Sequence, residues 1–254
     1  MSPESAAANP SATWFWKVQE ACSLVREALR TVLIPSSHIC VDESAIKFHG
    51  RSANSMKLPH KPAKEGFILY ALCSHGGILH DFQVYSAKHG IEGVPQGITV
   101  NLPTKSVRKR KRGATGIVGD EVHLPPIRSM VYMLCERLTI QHPGSSFICF
   151  MDNLFNNVPL ARALLTINVG ICGTTRANAL GIPPVLQALR HKFPAVLKIG
   201  QLTGCVINDL ILTIAWNDNM NDRVVTMMTT AYRPLDTTTA TRSCRPEKPT
   251  RSTP

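Results

Sequence analysis

No run of about 18 consecutive apolar residues occurs in the chain, so no helix is expected to cross a membrane. The first residues, Met1-Ser2-Pro3-Glu4-Ser5, lack the basic and apolar stretches of a secretory leader, and secretion is not expected. Of the eight cysteines, no two approach C-x-x-C spacing, which argues against a zinc site. His38, His49, His60, His75 and His80 also fit no common zinc pattern. Cys40, Cys73, Cys149 and Cys172 lie in apolar runs and read as small buried hydrophobes in a reducing compartment. Acidic residues are scarce: 17 Asp and Glu face 28 Lys and Arg, a net charge of +11. Such an excess attracts phosphate backbones through counterion release, so a polyanionic partner, nucleic acid, is expected.

What is present is a globular composition. The 254 residues are 44% apolar and 18% charged, enough for one large domain or two small ones. Residues 1–12 are rich in Ser, Ala and Pro and are expected to be disordered. From Trp14 to Leu33, apolar residues at Trp14, Val18, Cys22, Val25, Leu29 and Val32 predict an amphipathic helix that Pro35 ends. Residues 38–48 and Phe67–Cys73 read as strands. Gly76-Gly77 then turns the chain into an antiparallel partner at Ile78–Tyr85. Residues 86–120 show little apolar periodicity and carry the basic run Lys105 to Arg112, so a charged insertion is expected there. Ile127–Leu138 predicts a helix, Ser146–Met151 a buried strand, Val158–Leu165 a helix and Val169–Thr174 a strand. A helix should start at Pro183-Pro184, and segments 195–199, 203–215 and 223–231 alternate like strands. Past Tyr232 the Thr/Arg/Pro/Ser composition predicts a disordered tail. Strands that form a hairpin, then alternate with helices, predict a mixed α/β sheet.

Two aspartates close short apolar strands. Asp42 follows Ile39-Cys40-Val41, and Asp152 follows Phe147-Ile148-Cys149-Phe150-Met151. A carboxylate at a strand end suits a divalent-metal nuclease, because the strand fixes the oxygens while the sheet edge leaves room for ion and phosphate. The two lie about 110 residues apart, so only a folded domain can bring them together.

The phrases around them occur in a distinctive order. Asp42-Glu43 is followed by Gly50-Arg51, then Lys61-Pro62-Ala63-Lys64 with Gly66, then Asp81-Phe82-Gln83-Val84-Tyr85. Asp152-Asn153-Leu154-Phe155 with Val158-Pro159-Leu160, Gly173-Thr174-Thr175-Arg176 and Trp216-Asn217-Asp218-Asn219 complete the run. Over residues 13–233 the chain resembles the catalytic core of piggyBac-type transposases and the domesticated proteins derived from them. The resemblance implies a ribonuclease-H-like mixed sheet flanked by helices. It also implies a three-aspartate site that uses two Mg2+ ions to cut and rejoin DNA, with Asp42 and Asp152 as the first and second metal ligands. Two such ions can activate an attacking oxygen and stabilise the leaving one.

The third aspartate of the family stands in a glycine-rich phrase, Tyr-Asn-x-x-Met-Gly-Gly-Val-Asp, which does not occur here. The late carboxylates Asp209, Asp218, Asp222 and Asp236 lie in no such phrase. The expectation is a core truncated at its C-terminal end, ancestrally a strand-transfer enzyme but inactive as this chain. The alternative is a domesticated, non-enzymatic DNA-binding protein. In either case Arg51, Lys57, Lys61 and Lys64, in the loop after Asp42, are candidates for phosphate contacts, as is Arg176; the alternative is a solvated loop. Arg108, Lys109, Arg110, Lys111 and Arg112 fit non-specific DNA contact, nuclear import or a flexible charged insertion. A homo-oligomer is left open.

Overall fold

A computed structural model describes residues 15–59, 61–94, 96–102, 121–192, 197–198, 200–207, 210–217 and 224–233. The termini expected to be disordered and the basic run Lys105 to Arg112 lie outside the described residues, as does most of the segment expected at 195–199. The chain begins with helix α1 (Trp16–Val32) and continues through β1 (His38–Lys47), β2 (Met56–Lys57), β3 (Glu65–Ser74), β4 (Ile78–Ser86), β5 (Gly90–Ile91) and β6 (Ile98–Asn101). After β7 (Glu121–Leu124) come α2 (Pro126–Gln141), β8 (Phe147–Met151), α3 (Val158–Thr166), β9 (Val169–Thr174) and α4 (Pro184–Lys192). Strands β10 (Leu202–Ile207), β11 (Ile211–Asn217) and β12 (Val224–Thr229) complete the described chain.

One ten-stranded mixed sheet dominates, in the order β10-β11-β12-β9-β8-β1-β3-β4-β5, with β2 paired to β3. At its centre, β8 runs parallel to both β1 and β9, while β3 runs antiparallel to β1 and β4. Within β4-β3-β1-β8-β9, β3 alone opposes the others. This is the ribonuclease-H-like mixed sheet that the sequence resemblance implies. The β3–β4 hairpin turns through Gly76 and Gly77, whose φ values of 80° and 77° a side chain would resist.

The central strands are buried mainly on one face. Ile39, Val41, Leu72, Cys149, Met151, Val169 and Ile171 share a hydrophobic core with Met130, Leu134, Cys135 and Leu138 of α2 and Leu160, Ala161 and Leu164 of α3. The helices between the parallel strands cover that face, as crossover connections must. Helix α3 follows β8 after a short turn, and Asn157 caps it by accepting from Leu160 N at 2.9 Å. Replacing Asn157 with alanine should cost about 1–2 kcal/mol, the upper part of the range for a cap, because Asn157 is buried. Urea unfolding should show a lower midpoint with an unchanged slope.

Two expectations need correction. The segment 86–120 is not wholly an insertion outside the core. Strand β6 within it pairs with β7 just beyond it, and Ile91, Val94, Val100 and Leu102 are buried. Ser129 of α2 ties the pair down, accepting from Ile98 N at 2.9 Å and donating to Leu124 O at 2.7 Å. The periodicity of α1 locates the docked side only in part: Cys22 and Leu29 are half-buried, while Val18, Val25 and Val32 stand in solvent. Arg26 and Arg30 share the docked side. Arg26 donates to Phe82 O at 3.2 Å and stacks over the Phe82 ring at 4.6 Å.

Candidate metal and nucleic-acid site

The register of β1 against β8 pairs His38 with Ile148, Ile39 with Cys149, Cys40 with Phe150 and Val41 with Met151. Asp42 and Asp152 are the residues that follow this last pair on each strand. Neighbouring strands run roughly 4.8 Å apart, so the two aspartates leave the ladder at the same level. Both are exposed, on the side opposite Val41 and Met151. Asp42 is not at the end of its strand, since β1 continues to Lys47 along β3. It sits where β8 stops, so the opening expected at a strand end lies on the flank of β1 instead.

The backbone fixes one oxygen of each carboxylate. Asp42 Oδ1 accepts from Glu43 N at 2.7 Å, and Asp152 Oδ1 accepts from Leu154 N at 2.7 Å. The turn after Asp152 is held from behind. Asn156 N reaches Asp152 O at 3.3 Å, Asn156 Nδ2 donates to Thr174 O, and Thr175 Oγ1 donates to Asn156 O. The second oxygen of each carboxylate has no donor among the described residues. A pair of open, backbone-aimed carboxylates suits a hard cation that keeps several waters. The fit is partial, because no group of three His, Cys, Asp or Glu side chains converges among the described residues. Asp209, Asp218, Asp222 and Asp236 lie outside them.

The candidate cations divide. Lys61 comes near in sequence only: it ion-pairs at 3.5 Å with Glu43, which alternation along β1 turns to the face opposite Asp42, toward Tyr70. Arg176 does reach the turn after Asp152, its Nε donating to Asn153 Oδ1 at 3.4 Å. Lys57 does not: it pairs opposite Glu65 on β2, roughly 16–20 Å along the strand from the level of Asp42. Lys64 turns its ammonium to Pro59 O at 3.0 Å, and Arg51 is exposed beyond the end of β1. Arg108, Lys109, Arg110, Lys111 and Arg112 lie outside the described residues. The pattern misses Arg128, in the first turn of α2, which donates to Phe155 O at 3.1 Å. Burial and the nearby charge of Arg176 lower its pKa, so two guanidinium groups share the edge beside the Asp152 turn. Its signal in sequence is a single arginine between Ile127 and an otherwise buried helix face.

A family model described as Transposase IS4 matches residues 4–253. Among solved structures, the chain is similar to the piggyBac transposase in its synaptic complex with hairpin DNA, at 19% identity and a TM-score of 0.66. The match covers 94% of this chain and 42% of that one, so the chain spans less than half the length of that transposase. With a sheet of matching fold, two aspartates at one register step and a family match over nearly its whole length, the protein belongs to this transposase family and carries a transposase-derived catalytic core.

Proposed function

We propose that the rim formed by Asp42 and Asp152 is a two-carboxylate remnant of a metal-dependent DNA-cleaving site, and that residues 1–254 do not carry out strand transfer alone. The observation that carries this reading is the β1–β8 register, from which the two aspartates leave at the same level. Asp42 and Asp152 would hold one divalent cation, Mg2+ in keeping with their hard oxygens. Such an ion supplies electrostatic stabilisation of a phosphate oxygen. A two-ion clamp needs another side chain, which the glycine-rich phrase missing from the sequence would have supplied. The protein's own cations serve the partner. Arg128 and Arg176, beside the turn after Asp152, would grip DNA phosphates, while the run Arg108 to Arg112 adds non-specific contact or nuclear import.

Cleavage of a hairpin or nicked transposon-end DNA in Mg2+ tests the reading. No cutting above background is expected, together with DNA binding that weakens steeply as salt rises. Thermal melting should show a rise at millimolar Mg2+ that is lost in Asp42→Asn, because a ligand of the folded state raises its melting temperature. Robust cutting that disappears in Asp42→Ala would refute the inactive reading, and an equal Mg2+ shift in Asp42→Asn would place the ion elsewhere. The non-enzymatic DNA-binding reading is favoured by the charge of +11 and would leave the salt dependence intact without any Mg2+ shift.

A further inference from the structure

Two residues before Asp42, on the same side of β1, stands Cys40. The β1–β3 register places Cys73 directly opposite it. Residues directly opposite on antiparallel strands have Cα atoms roughly 4.5–5.5 Å apart, inside the 4.4–6.8 Å range that a disulfide spans. Both side chains are half-buried, so a small solute reaches them. The thiols also sense each other: the Cys40 sulfur is among the groups that raise the pKa of Cys73, after burial. The other close thiol pair, Cys135 and Cys149, is shut inside the core between α2 and β8. Cys22, Cys172 and Cys205 have no cysteine opposite them in the sheet registers.

We propose that Cys40 and Cys73 form an oxidisable cross-strand dithiol, a modification site for hydroperoxides directly beneath Asp42. In the first step the Cys40 thiolate attacks a peroxide oxygen, breaking the O–O bond, to give a sulfenic acid and hydroxide, which a proton converts to water. In the second, the Cys73 thiolate attacks the sulfenic sulfur, and the displaced hydroxide also leaves as water. The S–S bond forms, the two thiols lose two electrons, and hydrogen peroxide is reduced to two waters. Burial keeps both thiols protonated at neutral pH, which slows the first step. The facing thiol then closes the bridge quickly, so the singly oxidised species does not build up. The bond would fasten β1 to β3 roughly 7 Å along the strand from Asp42.

The whole chain is treated with hydrogen peroxide, its remaining thiols are alkylated, and its peptides are read by mass spectrometry. The expected result is a Cys40–Cys73 linked peptide, lighter by two hydrogens and restored by dithiothreitol. In Cys73→Ser, and separately in Cys40→Ser, the linked species is absent. With the resolving thiol removed in Cys73→Ser, Cys40 should accumulate as a sulfenic acid that dimedone traps. Cys40 and Cys73 both remaining alkylatable while Cys22 or Cys205 oxidises would overturn the proposal. So would a dimedone adduct on Cys40 in the unmutated chain at the level seen in Cys73→Ser.

Discussion

Asp81→Ala should lower the unfolding free energy by about 3 kcal/mol, as urea titration would measure it. Asp81 is a buried carboxylate on β4 whose side chain is 6% exposed. It lies 2.8 Å from Arg137 Nε of α2, 3.4 Å from Arg30 Nη2 and 3.8 Å from Arg26 Nε of α1. Breaking a buried pair typically costs 3–5 kcal/mol, because the surviving charge is left unpaired. The lower end applies here, since Arg30 and Arg137 are 33% and 29% exposed and water takes up part of the loss. Arg26 keeps its paired contacts to Glu92 and falls less far. The position of α1 depends on this cluster more than on packing, as none of its residues is buried. Its amides should therefore lose hydrogen-exchange protection before those of β1 in the variant. A loss below about 1 kcal/mol would mean that the cluster behaves as an ordinary surface network.

Charge networks of this kind are what the sequence conceals. Asp81 is visible as part of a phrase, but its three arginines come from two helices, 51 to 56 residues away. The parallel strands β8 and β9 were legible because they are short, largely apolar runs, paired on both edges inside the sheet. The segment Val169–Thr174 is matched residue for residue, and Ser146–Met151 differs by one residue at its start. The double glycine identifies the β3–β4 hairpin by chemistry, through two positive φ angles. Short edge elements give no such signal. Strands β5 and β6 have two and four residues, too few for a period to show. The stretch 203–215 reads as one strand, yet it is the hairpin of β10, ending at Ile207, and β11, starting at Ile211, with no glycine or proline between them to mark it. For α1 the periodicity gives the helix, and its apolar residues divide: Cys22 and Leu29 turn inward beside Arg26 and Arg30, while Val18, Val25 and Val32 face solvent. Periodicity says which residues share a face, while the ion pairs help decide which side docks. At the site, the two aspartates were legible from strand-closing runs. The meeting of Arg128 and Arg176 beside the turn after Asp152 was not, because it depends on where a loop and a helix terminus come to rest.

Gly173→Ala is expected to be about as damaging as removal of Asp81, through sterics alone. A Cβ at Gly173 would stand 1.9 Å from Met151 O, with Met151 C at 3.0 Å and N at 3.3 Å. All three are backbone atoms of the neighbouring strand, so no side-chain rotation relieves the clash. Strand β9 cannot simply step away, because Gly173 also pairs with Met228 of β12 on its other edge. The β8–β9 ladder must open at its last pair, Met151 with Gly173. Overpacking that forces backbone shifts costs about 1–3 kcal/mol and occasionally more, and a clamped strand belongs at the top of that range. Gly170→Ala is the internal control. Three residues earlier on β9, its Cβ would meet the Ala231 side chain at 3.3 Å, which a shift of a few tenths of an ångström relieves. Its urea midpoint should move much less. The opening at Met151 comes one residue before Asp152, so Gly173→Ala should also lose the Mg2+-dependent rise in melting temperature with both aspartates still in the chain. Equal losses of stability in the two glycine variants would show that the β8–β9 seam yields freely and does not fix the place of Asp152.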